Sequence, residues 1–171
     1  MELNLNEDIN KNNEKLKKLL NENNKLNENN VVLNKEIKYD DGRYIGQVVN
    51  GKAEGKGIYY CENGDRYEGD YKNDKREGKG IYYFNNEPWK GDRYEGDFKN
   101  DKKEGKGIYY FNKEPWKGDR YEGDWRNDKK EGKGIYYFSN GNSSMGNYHN
   151  DKPIGKHAKL TINGEVKPIN Y

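Results

Sequence analysis

Residues 64–86 read GDRYEGDYKNDKREGKGIYYFNN, and nearly the same stretch returns at residues 91–113 and 118–140. A divergent copy, GRYIGQVVNGKAEGKGIYYCEN, spans residues 42–63, and a decayed copy, GNSSMGNYHNDKPIGKHAKLTIN, spans residues 141–163. A unit repeated at a fixed period of about 20–50 residues is the signature of a repeat architecture, in which each unit packs against its neighbours. The repetition therefore decides the fold.

Within one unit, the segment Arg66–Tyr71 alternates charged residues with aromatic residues and glycine, which is the period of a strand. The segment Gly78–Phe84 is β-branched and aromatic and predicts a second strand. The polar segment Lys72–Glu77 lies between them and is typical of a turn. Each unit is thus predicted to be a hairpin, and five hairpins in series predict an antiparallel meander.

The predicted array covers residues 42–163. Its five repeats span 42–63, 64–90, 91–117, 118–140 and 141–163, and two of them end in the inserted tetrapeptide EPWK. Residues 164–171 are predicted to be a C-terminal tail.

The glycines predict an unusual core. Gly69, Gly78 and Gly80 fall on the same strand faces as Tyr67 and Tyr71, and glycine inside a strand marks close approach by another group. Only 30% of the chain is hydrophobic, yet aromatic residues make up 13%. We therefore expect a thin sheet whose core consists of rings lying over glycine backbone.

This pattern resembles the MORN (membrane occupation and recognition nexus) repeat. It is carried by Tyr67, Gly69 and Tyr71 followed by Gly78 and Gly80. The equivalent positions in the other repeats are Tyr94, Gly96, Phe98, Gly105 and Gly107; Tyr121, Gly123, Trp125, Gly132 and Gly134; and Tyr44, Gly46, Val48, Gly55 and Gly57. The last copy departs from the pattern, with Ser144 for Tyr and His157 for Gly, and is predicted to be a terminal cap.

The resemblance implies an elongated single-layer antiparallel β-sheet that acts as a non-enzymatic scaffold, in some relatives within cytoskeletal or ciliary assemblies. Family members bind protein partners through an aromatic groove, dimerise, or tether membranes. A cytoplasmic location, in association with the cytoskeleton, is the corresponding expectation.

Two sets of residues are the candidate partner contacts. The first is a set of aromatic rows along one face, which suit proline-rich or helical peptides but are equally explained as the core of a thin sheet. Its members are Tyr67, Tyr71, Tyr82, Tyr94, Phe98, Tyr109, Tyr121, Trp125 and Tyr136. The second set is Trp89 and Trp116 in the EPWK seams, each of which either contacts a partner or folds back onto its own hairpin.

Residues 1–41 contain neither glycine nor proline and follow a heptad pattern. The pattern predicts an N-terminal α-helix that pairs as a coiled coil and makes the protein a homodimer. The alternative is a disordered, Asn-rich extension. The apolar heptad positions are Leu5, Ile9, Leu16, Leu19, Leu26, Leu33 and Ile37.

No catalytic, cofactor or metal site is predicted. The only histidines, His149 and His157, are expected at the surface, and Cys61 replaces a phenylalanine and is expected to be a half-buried hydrophobe. Carboxylates such as Glu68 and Asp70 share a face with Arg66 and are expected to form cross-strand charge pairs on a solvated face. A ligand-binding or hydrolase-like β protein would instead require a convergent carboxylate pair in a pocket.

The charge balance bears on two other classes of partner. The 32 basic and 30 acidic residues give a net charge of +2, which lacks the basic footprint of a nucleic-acid-binding protein. The alternative to a protein scaffold is a membrane-surface adaptor that binds anionic phospholipids through basic turns such as Lys75-Arg76 and Lys102-Lys103.

Overall fold

The computed structural model describes residues 31–171, and these form one open sheet of twelve antiparallel strands. Each strand pairs with the next strand along the chain, so the order in the sheet is the order in the sequence. The strands are β1 Val31–Tyr39, β2 Gly42–Val49, β3 Lys52–Cys61, β4 Arg66–Lys72, β5 Lys75–Tyr83, β6 Arg93–Lys99, β7 Lys102–Tyr110, β8 Arg120–Arg126, β9 Lys129–Tyr137, β10 Ser143–His149, β11 Lys152–Leu160 and β12 Val166–Asn170. The predicted single-layer meander of hairpins is confirmed.

The turn inside each repeat is tighter than predicted. Between β4 and β5 only Asn73 and Asp74 remain outside the strands, and their φ angles are 50° and 66°. Two successive left-handed residues define a type I′ turn, whose twist suits a hairpin and whose conformation Asn and Asp tolerate. The predicted turn segment Lys72–Glu77 is therefore mostly strand.

Tyrosine rings lie over pairs of glycines, as the sequence predicts. Gly69 and Gly80 are opposite each other on β4 and β5, and a Cβ on Gly80 would lie 2.5 Å from two carbons of the Tyr67 ring. Tyr67 is 1% exposed, and its hydroxyl donates a hydrogen bond to the carbonyl oxygen of Asp70 at 3.1 Å. Only glycine leaves room for this ring.

The same rings join one repeat to the next. Tyr67 packs edge-on against Tyr71 of its own repeat at 5.3 Å and against Phe98 of the following repeat at 4.9 Å between ring centroids. Tyr94 repeats the arrangement with Phe98 and Trp125, at 5.2 and 5.1 Å. Edge-on ring pairs add roughly 0.5–1.5 kcal/mol each beyond burial of their area. The core is therefore a continuous chain of T-shaped contacts across the sheet.

The predicted N-terminal helix is wrong for residues 31–39, which form β1 and pair with β2. Leu33 is 70% exposed, whereas Ile37 lies opposite Tyr44 and packs against the core. An unpaired sheet edge offers a row of backbone hydrogen-bonding groups, and pairing with that edge outweighs the local heptad pattern. Leu5, Ile9, Leu16, Leu19 and Leu26 lie outside the described residues.

The predicted C-terminal tail also contributes to the sheet. Val166–Asn170 form β12, which pairs with β11 over the register from Lys156 opposite Asn170 to Leu160 opposite Val166. The sheet therefore extends beyond the five predicted hairpins at both ends.

The last repeat exchanges its two deviating residues in a complementary way. His157, predicted at the surface, is 3% exposed, and its ring fills the space over Gly146 that a tyrosine ring fills elsewhere. Its Nε2 lies 2.9 Å from the carbonyl oxygen of Asn147, and its Nδ1 lies 3.2 Å from the hydroxyl of Ser144. Serine thus replaces tyrosine and histidine replaces glycine, so a ring still fills the space over the glycine. The ring now comes from the neighbouring strand, and the imidazole makes the hydrogen bonds in place of the tyrosine hydroxyl.

Candidate functional site

Most of the predicted partner contacts are part of the core. Seven of them are at most 7% exposed: Tyr67, Tyr71, Tyr94, Phe98, Tyr109, Tyr121 and Trp125. Tyr82 and Tyr136 are half-buried. The structure thus supports the core interpretation for seven rings, and a partner has access chiefly to the rings beside them.

A continuous row of six rings runs across the sheet at the ends of β5, β7 and β9, and we call it the aromatic ladder. Neighbouring ring centroids are 4.7–5.7 Å apart. Its members are Tyr82, Phe84, Tyr109, Phe111, Tyr136 and Phe138. The three phenylalanines, all half-buried, were not among the predicted site residues, although their position two residues after each ladder tyrosine places them on that face.

Buried aspartates hold the ladder in place. Asp92 is 4% exposed and accepts hydrogen bonds from the Tyr109 hydroxyl at 2.6 Å and from the backbone N–H of Asn112 at 2.7 Å. Burial, followed by this bond to a carboxylate, raises the pKa of Tyr109 well above its ordinary value. Asp65 and Asp119 bind Tyr82 and Tyr136 in the same way. Rings fixed in this manner lose little conformational freedom when a ligand binds.

Two lysine side chains lie against the rings of the ladder. The ammonium of Lys103 lies 4.9 Å from the ring centre of Trp125, 5.0 Å from that of Tyr109 and 5.4 Å from that of Phe84. Burial lowers the pKa of Lys103 to about 8. Lys130 sits over Phe111 and Tyr136 in the equivalent arrangement. Several ring faces around one ammonium stabilise a cation that is largely withdrawn from water.

The two seam tryptophans remain accessible. Trp89 is 56% exposed and Trp116 is 53% exposed, so neither is folded away onto its own hairpin. Trp116 borders a groove of about 530 Å3 whose other walls include Tyr136, Phe138 and Tyr171. The groove extends the aromatic ladder beyond its last ring.

The remaining polar groups form surface pairs. A cross-strand charge pair of the predicted kind joins Lys79 and Asp97 at 2.6 Å, whereas Arg66 pairs with Glu68 of its own strand at 2.8 Å. Cys61 is half-buried, and burial raises the pKa of its thiol. Among residues 31–171, no group of three or more His, Cys, Asp or Glu side chains is arranged to hold a metal ion. This part of the chain also has no helix with the length and apolar character needed to cross a membrane.

Comparison with protein families identifies the repeat. The model of the MORN repeat matches residues 44–66, 67–87, 94–113 and 121–143, which together make up half of the chain. The chain belongs to the MORN-repeat family. That family consists of non-enzymatic repeats, and this MORN protein adds a fifth hairpin, β10 and β11, in which the glycine–tyrosine pair is exchanged.

Curated proteins and solved structures were also compared with the chain. No curated protein matches this MORN protein. Among solved structures, it is similar to the TCP domain of SAS-4 (dCPAP) of Drosophila melanogaster, which was solved in complex with a proline-rich motif of Ana2 (dSTIL). The two are 15% identical, the similarity covers 80% of this chain and 89% of that chain, and the TM-score is 0.40.

Proposed function

We propose that this MORN protein is a scaffold that binds an extended, proline-rich segment of a partner protein along its aromatic ladder. The observation that carries the proposal is the ladder itself. Six rings form an uninterrupted row at the end of three equivalent strands, and tyrosine hydroxyls bonded to buried aspartates fix every second ring. Proline-rich segments bind grooves lined by aromatic side chains because their extended conformation is already formed in solution.

The spacing of the ladder favours such a segment over a helix. Equivalent rings are separated by two strands, which is about 9.5 Å at the usual strand spacing. A polyproline II helix rises about 3.1 Å per residue and repeats every three residues, or about 9.3 Å. An α-helix presents the same face after seven residues, or about 10.5 Å, and would drift by about 1 Å per repeat. A polyproline segment lying across the strands would therefore meet Phe84, Phe111 and Phe138 in the same way.

The seam tryptophans would act as flanking contacts. Trp116 stands at the end of the ladder beside Phe138, and its exposed indole has both an apolar surface and an N–H donor. Trp89 occupies the same position one repeat earlier in the sequence. Proline lacks a backbone donor but keeps its carbonyl acceptor, and an indole N–H is the donor that such a carbonyl needs.

The basic turns favour a protein partner over a membrane. Arg76 lies 5.3 Å from the ring centre of Tyr82 and 3.5 Å from a carboxylate oxygen of Asp101. Lys103 is held among four rings. One of the two basic residues in each turn is thus already engaged, which leaves too sparse a cluster for electrostatic docking on anionic lipid.

Self-association and location are further parts of the proposal. The heptad positions Leu5, Ile9, Leu16, Leu19 and Leu26 would join two copies and make the scaffold bivalent. A bivalent scaffold would suit a cytoplasmic, cytoskeleton-associated assembly. Light scattering on the full chain and on a version lacking residues 1–30 tests this part, since a dimer that becomes a monomer is the expected result.

Fluorescence polarisation with a labelled polyproline peptide of about ten residues tests the ladder. We expect saturable binding that Phe111→Ala weakens about tenfold or more, because loss of a central contact ring typically costs over 1 kcal/mol. Tyr110→Ala is the matched control, since Tyr110 is the adjacent residue, points to the other face and packs under Arg93. Equal binding by the Phe111→Ala variant, or preference for an amphipathic helical peptide, would refute the proline-rich assignment.

A further inference from the structure

The face of the sheet opposite the aromatic ladder, here called the outer face, carries a regular order of charges. Lys79 lies opposite Asp97 with 2.6 Å between ammonium and carboxylate, and Lys106 forms the same ion pair with Asp124 one repeat later. One step along the strands, each isoleucine lies opposite a glutamate, as Ile108 does opposite Glu122. In the middle of this face, Lys56, Lys79 and Lys106 therefore each have an aspartate of the next strand beside them.

This order ends abruptly at β10. Met145 stands at the position of Glu122, and Asn147 stands at the position of Asp124. Met145 lies between Ile135 on β9 and Ala158 on β11, and it is 55% exposed. The acidic side chains of the outer face are thus replaced by an apolar and a neutral one, and Ser143 stands at the position of Arg120. The lysine position of Lys106 is nevertheless kept, at Lys133 and Lys156.

Two lysines consequently lack their usual partners. Lys133 lies opposite Asn147, and Lys156 lies opposite Asn170. In the stretch from residue 31 to residue 171, neither ammonium has a carboxylate within 4 Å, in contrast to Lys56, Lys79 and Lys106. Both lysines line a groove of about 1170 Å3, together with glycines such as Gly134 and Gly146. Two glutamates, Glu95 and Glu122, and the paired lysines Lys79 and Lys106 also line it, towards β5–β8.

The groove also has apolar walls. Ile135, Met145 and Ala158 line it, and Leu160 and Val166, which pair with each other at the edge of the sheet, are 46% and 69% exposed. Exposed apolar side chains that lie together and are bordered by charges mark interaction surfaces. At the β9–β12 end of the groove, Lys133 and Lys156 form no ion pair with another described residue, so an acidic occupant would complement their charge.

We propose that the outer face of β9–β12 is a second docking surface, which binds an acidic segment of a partner protein that also carries apolar side chains. The apolar side chains would cover Ile135, Met145 and Ala158, and the carboxylates would pair with Lys133 and Lys156. Because this surface and the aromatic ladder lie on opposite faces, one MORN protein would hold two partners at once.

The earlier repeats supply the test variant. Met145→Glu with Asn147→Asp recreates the residues found at Glu122 and Asp124, so the variant keeps a combination that the sheet already accommodates. The probe is a labelled peptide of about ten residues in which Leu and Glu alternate, because alternation places all Leu side chains on one face of an extended chain. Two control peptides replace Leu by Ser or Glu by Lys.

We expect the Leu–Glu peptide to bind, the two control peptides to bind at least tenfold more weakly, and added salt to weaken binding because the lysines contribute. The double variant should lose at least tenfold in affinity for the Leu–Glu peptide while its affinity for the polyproline peptide is unchanged. Phe111→Ala should show the reverse pattern, which separates the two surfaces.

Three results would overturn the proposal. One is absence of binding to the Leu–Glu peptide, and another is equal binding by the wild-type protein and the double variant. The third is evidence for a different occupant. Self-association that the double variant abolishes would assign the surface to a second copy, and cosedimentation with phosphatidylserine vesicles that it abolishes would assign it to lipid.

Discussion

Exchanging a tyrosine–glycine pair for serine and histidine in a central repeat probes how the core is built. The substitutions are Tyr94→Ser and Gly107→His, which copy the residues at positions 144 and 157 of the last repeat. In the native sheet the Tyr94 ring lies over Gly107, is 0% exposed and packs against Phe98 and Trp125. The exchange moves the ring from one strand to its neighbour and keeps it in the same space.

Each single substitution should be costly. Tyr94→Ser removes a buried ring and leaves a cavity, for which we expect a loss of about 3–5 kcal/mol in the free energy of unfolding. Gly107→His places a Cβ about 2.5 Å from two carbons of the Tyr94 ring, and the imidazole has no space of its own. Overpacking of this kind costs about 1–3 kcal/mol or more.

The double variant should recover most of the loss. In the last repeat the same two residues are buried, and the imidazole contacts Ser144 at 3.2 Å and the carbonyl oxygen of Asn147 at 2.9 Å. We therefore expect the two substitutions to couple by about 3 kcal/mol, at the upper end of values for residues in contact. Urea unfolding followed by tryptophan fluorescence measures this directly, since Trp125 touches the exchanged ring.

Additive losses would refute the reasoning, because they would mean that ring and glycine do not share one space. If a single variant fails to fold, the comparison still holds, since the account requires the double variant to fold where that single variant does not. A conservative control is Tyr94→Phe, which keeps the ring and removes only the hydroxyl that donates to the carbonyl oxygen of Asp97. It should cost about 1 kcal/mol.

Three further predictions concern charge, polar burial and turn geometry. The folded pKa of Lys103 is about 8 against an ordinary 10.5, so the unfolded chain binds this proton more tightly and the free energy of unfolding should rise from about pH 7 to about pH 9. Above about pH 9 the trend should reverse, because tyrosines whose folded pKa is raised, such as Tyr94, ionise first in the unfolded chain. Urea titrations at a series of pH values measure this rise. Lys103→Met should abolish it, and the control Lys102→Met should keep it. An equal rise in both variants would count against a buried ammonium. Asp92→Ala should lower the free energy of unfolding by about 2–4 kcal/mol, because the Tyr109 hydroxyl and the Asn112 N–H lose their acceptor. The control Glu95→Ala, on the outer face, should lower it by under about 1 kcal/mol. Equal losses in chemical denaturation would contradict the buried role of Asp92. Asn100→Ala should lower the free energy of unfolding by about 1–2 kcal/mol, because Asn100 has a left-handed φ of 47°, which alanine tolerates poorly. Thermal unfolding measures this against the neighbouring variant Lys99→Ala. Equal midpoints for the two variants would contradict a left-handed turn.

The repeats predicted the architecture because the sequence of each repeat contains the local signals for its own hairpin. Strict alternation in Arg66–Tyr71 specifies a strand, and glycines at Gly69 and Gly80 specify where a ring can lie. Both signals act within one hairpin, so the sequence of a single repeat is enough to predict them. The edge strand β1 was missed for the opposite reason, since its pairing depends on β2 having an open edge and its segment lacks the strict alternation of the repeats.

The parts of the site that escaped prediction depend on distant partners. Asp65 binds Tyr82 and the backbone of Asn85, about 20 residues further along, so nothing beside Asp65 in the sequence marks it as buried. Ser144 and His157 read as two separate departures from the pattern, and only their contact shows that each compensates for the other. Which rings stay accessible likewise depends on packing between repeats, which buries Tyr94 and leaves Phe111 half-exposed.

Aromatic-ring NMR during titration with the polyproline peptide tests the central claim, that the aromatic ladder is the binding site. The account predicts that ring signals of Phe84, Phe111, Phe138 and the indole of Trp116 shift with peptide concentration, while those of the core ring Tyr67 stay fixed. Shifts confined to outer-face residues, or none at saturating peptide, would contradict it.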